Sequence, residues 1–297
     1  MRTMEEQIAT NKRDSIILVG IVSVTLVALF YLFAQVYDPS LVFVFLIIAV
    51  ILSTLGTIAS YWYSDKIVLS VTKTREPTPI EQAHLLNVVE GLAIAAGIPA
   101  PNFIIIDDDT NLNAFATGRD PEHAILAVTS GLLKTMNREE LEGVVAHEMS
   151  HIQNYDIRFA SMVAVLVGII VIGAQVFLRS MWFTGGRGGR RNDGGNVIFL
   201  VIGIVLAILA PIFTQLIQLA ISRQREYLAD SSGAYLTRNP EGLASALEKI
   251  KNQNVNTKVN GAVSHLYFVN PLLPKNAESL FATHPPIEER IRRLREM

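Results

Sequence analysis

The chain has 297 residues, half of them hydrophobic, with a formal net charge of -2, no cysteine and six histidines. That near-neutral balance gives no electrostatic case for a nucleic-acid partner. Without cysteine there is neither a disulfide framework nor a thiolate metal site, so any metal must be held by His, Asp or Glu.

Taken from the N-terminus, the first feature is a pair of uncharged apolar stretches, Ser15–Tyr37 and Leu41–Tyr63, separated by Asp38-Pro39. Two more follow at Phe159–Leu178 and Val197–Ile221. Each has at least about 20 residues, enough for a helix to cross a hydrocarbon core of about 30 Å. A cleavable signal peptide does not fit the first stretch, whose apolar core is too long and is followed at once by a second. Tyr61-Trp62-Tyr63 closes the second stretch with residues that favour the water–lipid boundary. The chain therefore reads as an integral membrane protein with four candidate spans in two hairpins. Its segments are a first hairpin (1–64), a polar block (65–158), a second hairpin with a Gly/Arg-rich loop (159–222) and a second polar block (223–297). Arg2, Lys12 and Arg13 precede the first hairpin, and Lys66, Lys73 and Arg75 follow it, which puts both flanks and the polar blocks in the cytoplasm. The basic loop Arg179–Asp193 between the third and fourth stretches runs against that rule if both stretches cross.

The first polar block has mixed α/β patterning. Thr78-Pro79-Ile80-Glu81 is a helix start with a capping box and a proline at the first helical position. Leu85, Val88, Val89 and Leu92 continue an apolar stripe that Gly97-Ile98-Pro99 stops. Phe103–Ile106 reads as a buried strand, and Asn113–Ala116 and His123–Val128 as two more about the Gly118–Pro121 turn. A capped helix then starts at Asn137, with Glu140 as its capping-box partner and Leu141, Val144, Val145, Met149 and Ile152 on one face.

This helix carries His147-Glu148-Met149-Ser150-His151. Residues at i and i+4 share a helix face, so two imidazoles can hold one Zn²⁺ while the carboxylate addresses a water that zinc acidifies to a pKa near about 7. A surface helix matching by chance is the bland alternative. Zinc needs a third protein ligand, and Glu226, four residues before Asp230, directly follows the fourth stretch. On its own such an acidic pair is more often a solvated helix face. The second block continues with a helix at Glu241–Lys251, entered by Asn239-Pro240, and a basic C-terminal helix after His284-Pro285-Pro286. His84, His123 and His265 lack ligand spacing.

His147–Asp156 together with Glu226–Asp230, the hairpins, Asn113–Ala116 and Thr283-His284-Pro285-Pro286 resemble the HtpX-type membrane zinc metalloproteases, prokaryotic relatives of the CAAX prenyl proteases. The resemblance covers nearly the whole chain. It implies a gluzincin-type α+β protease domain in an α-helical membrane protein, with one Zn²⁺ on His147, His151 and Glu226 and with Glu148 as general base. It further implies that Asn154, Asp156 and Asp230 orient the ligands or pack the two active-site helices, and that Asn113, Ala114, Phe115 and Ala116 pair with an extended substrate by β-augmentation. His284 and Arg290 match a pair that stabilises the oxyanion, although His284 before a proline also suits a plain helix cap. The implied activity is endoproteolysis of misfolded membrane proteins or unfolded polypeptides at the cytoplasmic face of a bacterial or archaeal inner membrane, as quality control under stress. The alternatives are a prenyl-type protease of narrow specificity and an inert, membrane-anchored binding protein. Four spans are too few for the enclosed chamber of the prenyl proteases, and an inert protein would be expected to have lost a ligand or the base.

Overall fold

The computed structural model describes residues 4–166, 223–253, 266–268 and 285–297. It opens on a long helical hairpin. Helix α1 (Met4–Tyr37) turns through a short 3₁₀ segment (Pro39–Leu41) into α2 (Val42–Trp62). Asp38 makes the turn by accepting a hydrogen bond from the Ser40 amide. The helices meet through Phe30 and Phe45, with ring centroids 6.5 Å apart, and through Ser53 and Ser23, whose hydroxyls are hydrogen-bonded at 2.7 Å.

Phe43, Ile47, Ile51, Leu55 and Ile58 of α2 all lie exposed. Such a run of bare apolar side chains suits lipid rather than water. Among the described residues one helix, the 24-residue Pro39–Trp62, is long and apolar enough to cross a membrane. Of the four expected spans, that one is met among the described residues. The fourth stretch and most of the third, with the Gly/Arg-rich loop, lie outside the described residues. Residues 159–166 of the third stretch are helical. There Phe159, Met162, Val163 and Leu166 pack on Leu18 and Val22 of α1.

A short helix α3 (Ser64–Ser70) leads into the α/β part. Its four-stranded sheet has the order β1-β2-β4-β3, with β1 at Thr74–Arg75, β2 at Asn102–Ile106, β3 at Ala114–Thr117 and β4 at Ile125–Thr129. β2 and β4 run parallel, while β1 and β3 pair antiparallel at the two edges. The expected strand His123–Val128 starts two residues later, because the Asp120 side chain accepts from the His123 amide and winds 121–123 into a 3₁₀ turn. Gly118, at φ +134°, makes the sharp exit from β3, and a Cβ there would run into the His123 carbonyl.

Helix α4 (Pro79–Ala96) begins with the Thr78/Glu81 capping box and ends at Gly97, which adopts φ +68°. Helices α5 (Ser130–Thr135), α6 (Arg138–Gln153) and α7 (156–166) follow. After the gap come α8 (Arg223–Thr237), α9 (Pro240–Gln253) and α10 (Ile287–Arg295). One core joins Leu85, Val88 and Val89 of α4, Ile105, Leu126 and Val128 of the sheet, the whole apolar stripe of α6, and Leu243, Leu247 and Leu294 from α9 and α10. Burying these side chains, at about 25 cal/mol per Å² of apolar area, is what fixes α6 between the sheet and α8–α10.

Candidate metal centre

Helix α6 is anchored at its start. Asn137 accepts from the Glu140 amide at 2.9 Å while the Glu140 carboxylate accepts from the Asn137 amide at 2.8 Å. Glu140 also holds Lys249 at 2.6 Å and Ser245 at 2.8 Å, both on α9. With no proline or glycine after Gly143, the helix stays regular and carries His147, Glu148 and His151 into the interior. At its far end Tyr155 adopts φ 61°, and the sharp turn brings Asp156 back to His151.

Helix α8 delivers Glu226 and Asp230. It approaches α6 closely because Gly233 has no side chain: a Cβ there would sit 3.0 Å from the His147 amide nitrogen. His147, His151 and Glu226 thereby offer one ligand atom each, all within 4.8 Å of one another. The two Nε2 atoms are 3.1 Å apart, and they lie 3.7 Å and 3.6 Å from the oxygens of Glu226. Two nitrogens on a tetrahedral zinc at about 2.05 Å are separated by roughly 3.3 Å, so the donor set fits such an ion.

Each histidine turns its other nitrogen to a carboxylate. His147 Nδ1 lies 3.0 Å from Asp230 Oδ1, and His151 Nδ1 lies 3.0 Å from Asp156 Oδ2. This arrangement fixes the rings and leaves both Nε2 atoms for a metal. Behind Asp230 stands Arg290, 1% exposed, whose Nε and Nη2 reach the two carboxylate oxygens at 2.9 and 2.7 Å. Its Nη1 lies 3.7 Å from Glu226 Oε2. Behind Asp156 stand Asn11 of α1, which donates to Oδ1 at 2.7 Å, and Arg225, 3.6 Å away.

Electrostatics differ across the site. Burial pushes His147 down to about 4, against the partial support of Asp230. Burial also opposes a charge on His151, but the bond to Asp156 and the nearby carboxylates prevail and raise it to about 9. Burial lifts Glu148 to about 7. Asp230 stays at about 2 because Arg290 and His147 overcome its burial.

The edge strand completes the arrangement. Asn113 pairs with Thr129, so the neighbouring Ala114 and Ala116 turn their backbone groups outward. The Ala116 amide donates to Glu148 Oε2 at 2.9 Å, and the Ala114 carbonyl accepts from the Phe268 amide at 2.9 Å. Phe115 points inward and packs on Tyr267, with centroids 5.1 Å apart. The Phe268 ring meets His147 edge-on at 4.7 Å and lies 4.6 Å from the Arg290 guanidinium.

The structure thus brings together His147, Glu148, His151, Glu226, Asp230, Asp156, Arg290 and β3. Asn154 does not reach the ligands: its backbone caps α6, its carbonyl accepts from Asn11 at 2.8 Å, and its buried Oδ1 has no hydrogen-bond partner among the described residues. His284 lies outside the described residues. Asn11 and Phe268 escaped the sequence reading. Asn11 is one of a run of polar residues, Thr10–Asp14, ahead of an apolar stretch, and Phe268 sits in an apolar segment with no spacing signal.

A pair of helical histidines, a glutamate from a second helix and a buried carboxylate against a sheet edge define a metalloprotease. The sequence profile of peptidase family M48 matches residues 79–297. Among curated proteins, the chain is 47% identical to "Protease HtpX homolog" of Dictyoglomus turgidum, over 99% of this chain and 95% of that one. The protein of the same description from Thermoanaerobacter pseudethanolicus is 46% identical over 100% and 98%, and that of Streptococcus uberis is 44% identical over 98% and 99%. The chain belongs to peptidase family M48. Among solved structures, Ste24p of S. mikatae shares the fold with a TM-score of 0.53 at 21% identity, matching 95% of this chain and 66% of that longer one.

Proposed function

We propose that the protein is a membrane-integrated, zinc-dependent endopeptidase that cleaves misfolded or damaged membrane proteins at the cytoplasmic face. The observation that carries this reading is the convergence of His147, His151 and Glu226 within 4.8 Å, beside a Glu148 that is hydrogen-bonded to the outward edge of β3. Zinc held by those three residues would supply Lewis acidity, polarising a peptide carbonyl and acidifying water.

The chain's own groups do the rest. An extended substrate pairs with the outward backbone groups of Ala114 and Ala116, a mode that tolerates many sequences because every peptide carries the same backbone. To do so it replaces the Phe268 amide at the Ala114 carbonyl and the Glu148 carboxylate at the Ala116 amide. Glu148, raised to about 7 by burial, takes the proton of the attacking water and returns it to the leaving amine. Arg290 is a positioning residue: its two bonds to Asp230 hold the carboxylate that orients His147. The basic residues flanking the first hairpin support a cytoplasmic site, and the apolar face of α2 supports insertion in the inner membrane of a bacterium or archaeon.

The test is Glu148→Gln, assayed on an unfolded membrane-protein substrate. The variant should keep its metal and its fold and lose turnover by at least about 100-fold, the scale of a positioned general base. Turnover at the wild-type rate would remove Glu148 from the reaction.

A further inference from the structure

A second site lies where α2 leaves its apolar stretch. A cavity of about 320 Å³ is bounded by Tyr61, Trp62 and Tyr63 at the end of α2, by Asp65 and Lys66 of α3, and by Arg119 and His123 beyond β3. None of these residues belongs to the metal centre. The volume falls within the range of small-ligand pockets. Its level is set by α2, whose exposed aliphatic face ends at the half-exposed rings of Trp62 and Tyr63. Aromatic residues in that position sit among lipid headgroups.

The charges inside are of both signs and partly unengaged. Lys66 makes no ion pair among the described residues, and its ammonium lies 5.7 Å from the Tyr63 ring. Arg119 contacts His123 at 2.6 Å and Asp120 at 3.4 Å, which uses only part of a guanidinium with five N–H donors. Its guanidinium carbon sits 4.5 Å from the Trp62 ring. Arg158 adds a third cation nearby, donating to the Arg119 carbonyl at 2.6 Å. Against these, half-buried Asp65 has neither a hydrogen bond nor an ion pair among the described residues. Asp120 lies 2.6 Å from Nδ1 of His123 and accepts from the His123 amide.

A cavity at headgroup depth that offers two cations, one unengaged carboxylate and three aromatic rings matches a phosphate with an ammonium attached. We propose that it binds the headgroup of a zwitterionic phospholipid with a primary ammonium. The phosphate lies on Lys66 and Arg119, and the ammonium on Asp65 and the aromatic faces. Arg119 follows the last residue of β3 by two positions, so the bound lipid ties the far end of the substrate strand to the bilayer surface. Binding does not depend on the proteolytic reading and is measured without a substrate.

The chain has two tryptophans, so Trp182→Phe leaves Trp62 as the only indole, inside the cavity. Full-length protein in detergent is titrated with dihexanoyl phosphatidylethanolamine, dihexanoyl phosphatidylglycerol and inorganic phosphate while Trp62 emission is followed. Lipid retained on the protein is counted in parallel by native mass spectrometry. The ethanolamine lipid should give a saturable change, at least fivefold weaker in Lys66→Gln and in Asp65→Asn. The glycerol lipid should bind more weakly and ignore Asp65→Asn, and phosphate should give no response. Three outcomes would overturn the proposal: no saturable change with the ethanolamine lipid, equal or tighter binding of the glycerol lipid, or saturation by inorganic phosphate. So would an ethanolamine response that neither variant alters, since it would report detergent partitioning.

Discussion

The two histidines of the candidate metal centre are supported by the same chemistry in opposite settings. His147, with its side chain 1% exposed, leans on Asp230, and Asp230 on the fully buried Arg290 of the C-terminal helix. His151, with its side chain 15% exposed, leans on Asp156, and Asp156 on Asn11 of α1 and the 20% exposed Arg225. In the first arm burial wins and the imidazole is held neutral, down to about 4. In the second, burial is outweighed by the bond to Asp156 and by the charges of Glu226, Asp156 and Glu148, and the imidazole rises to about 9. The contrast separates two jobs. The His147 arm is a rigid strut that fastens the last helix of the chain to the site. The His151 arm ties the site to α1, through the hydrogen bond of Asn11 to Asp156.

The largest break in that contrast should come from Arg290→Leu. It strands the Asp230 carboxylate in a dry interior, and removing one partner of a buried pair costs about 3–5 kcal/mol. Chemical denaturation should show that loss in metal-free protein, whereas a change below about 1 kcal/mol would mean that the Asp230 charge is solvated. Asp156→Asn acts on the more open arm and should be gentler. An outer carboxylate on a metal-binding histidine is worth about 10–100-fold in metal affinity. Competition against a chelator should give a fall of that size with the melting temperature nearly unchanged, and an unaltered affinity would separate Asp156 from His151.

The smallest effect is in pH dependence, and its sign differs between the arms. Asp230 titrates at about 2 in the fold, below its ordinary 3.8, so its stabilisation is complete above that value and fades as pH falls towards 2. His151 titrates at about 9, above its ordinary 6.5, so its stabilisation is complete below 6.5 and fades as pH rises through 9. With metal removed by chelation, Asp156→Asn should flatten the alkaline limb of a melting-temperature profile and leave the acid limb alone. Flattening of the acid limb instead would reverse the assignment.

Much of this centre was legible in the sequence because it rests on local periodicity. The Thr78/Glu81 and Asn137/Glu140 capping boxes form as read, and the apolar stripe Leu141, Val144, Val145, Met149 and Ile152 is buried throughout. What the sequence concealed depends on contacts between distant segments. β1 is two residues long and exists only because Thr74 and Arg75 find Ile106 and Ile105. Asn11 gains its meaning from Asn154 and Asp156, more than 140 positions away. Phe268 meets Ala114 across a similar distance, and no spacing rule connects them. Arg290 stood out only through the family resemblance, as an oxyanion residue, and nothing in the basic helix pointed to its pairing with Asp230. Unlike Arg292, Arg293 and Arg295, which pair with acids at the surface, it turns inward to Asp230.

Three residues from two helices form a site that could hold one ion. The most direct measurement is the zinc content of purified full-length protein set beside that of Glu226→Gln. Wild type should hold about one zinc per chain. The variant, reduced to two nitrogen ligands where protein zinc sites use at least three, should retain little. Full occupancy in Glu226→Gln, or none in the wild type after incubation with zinc, would contradict the assignment.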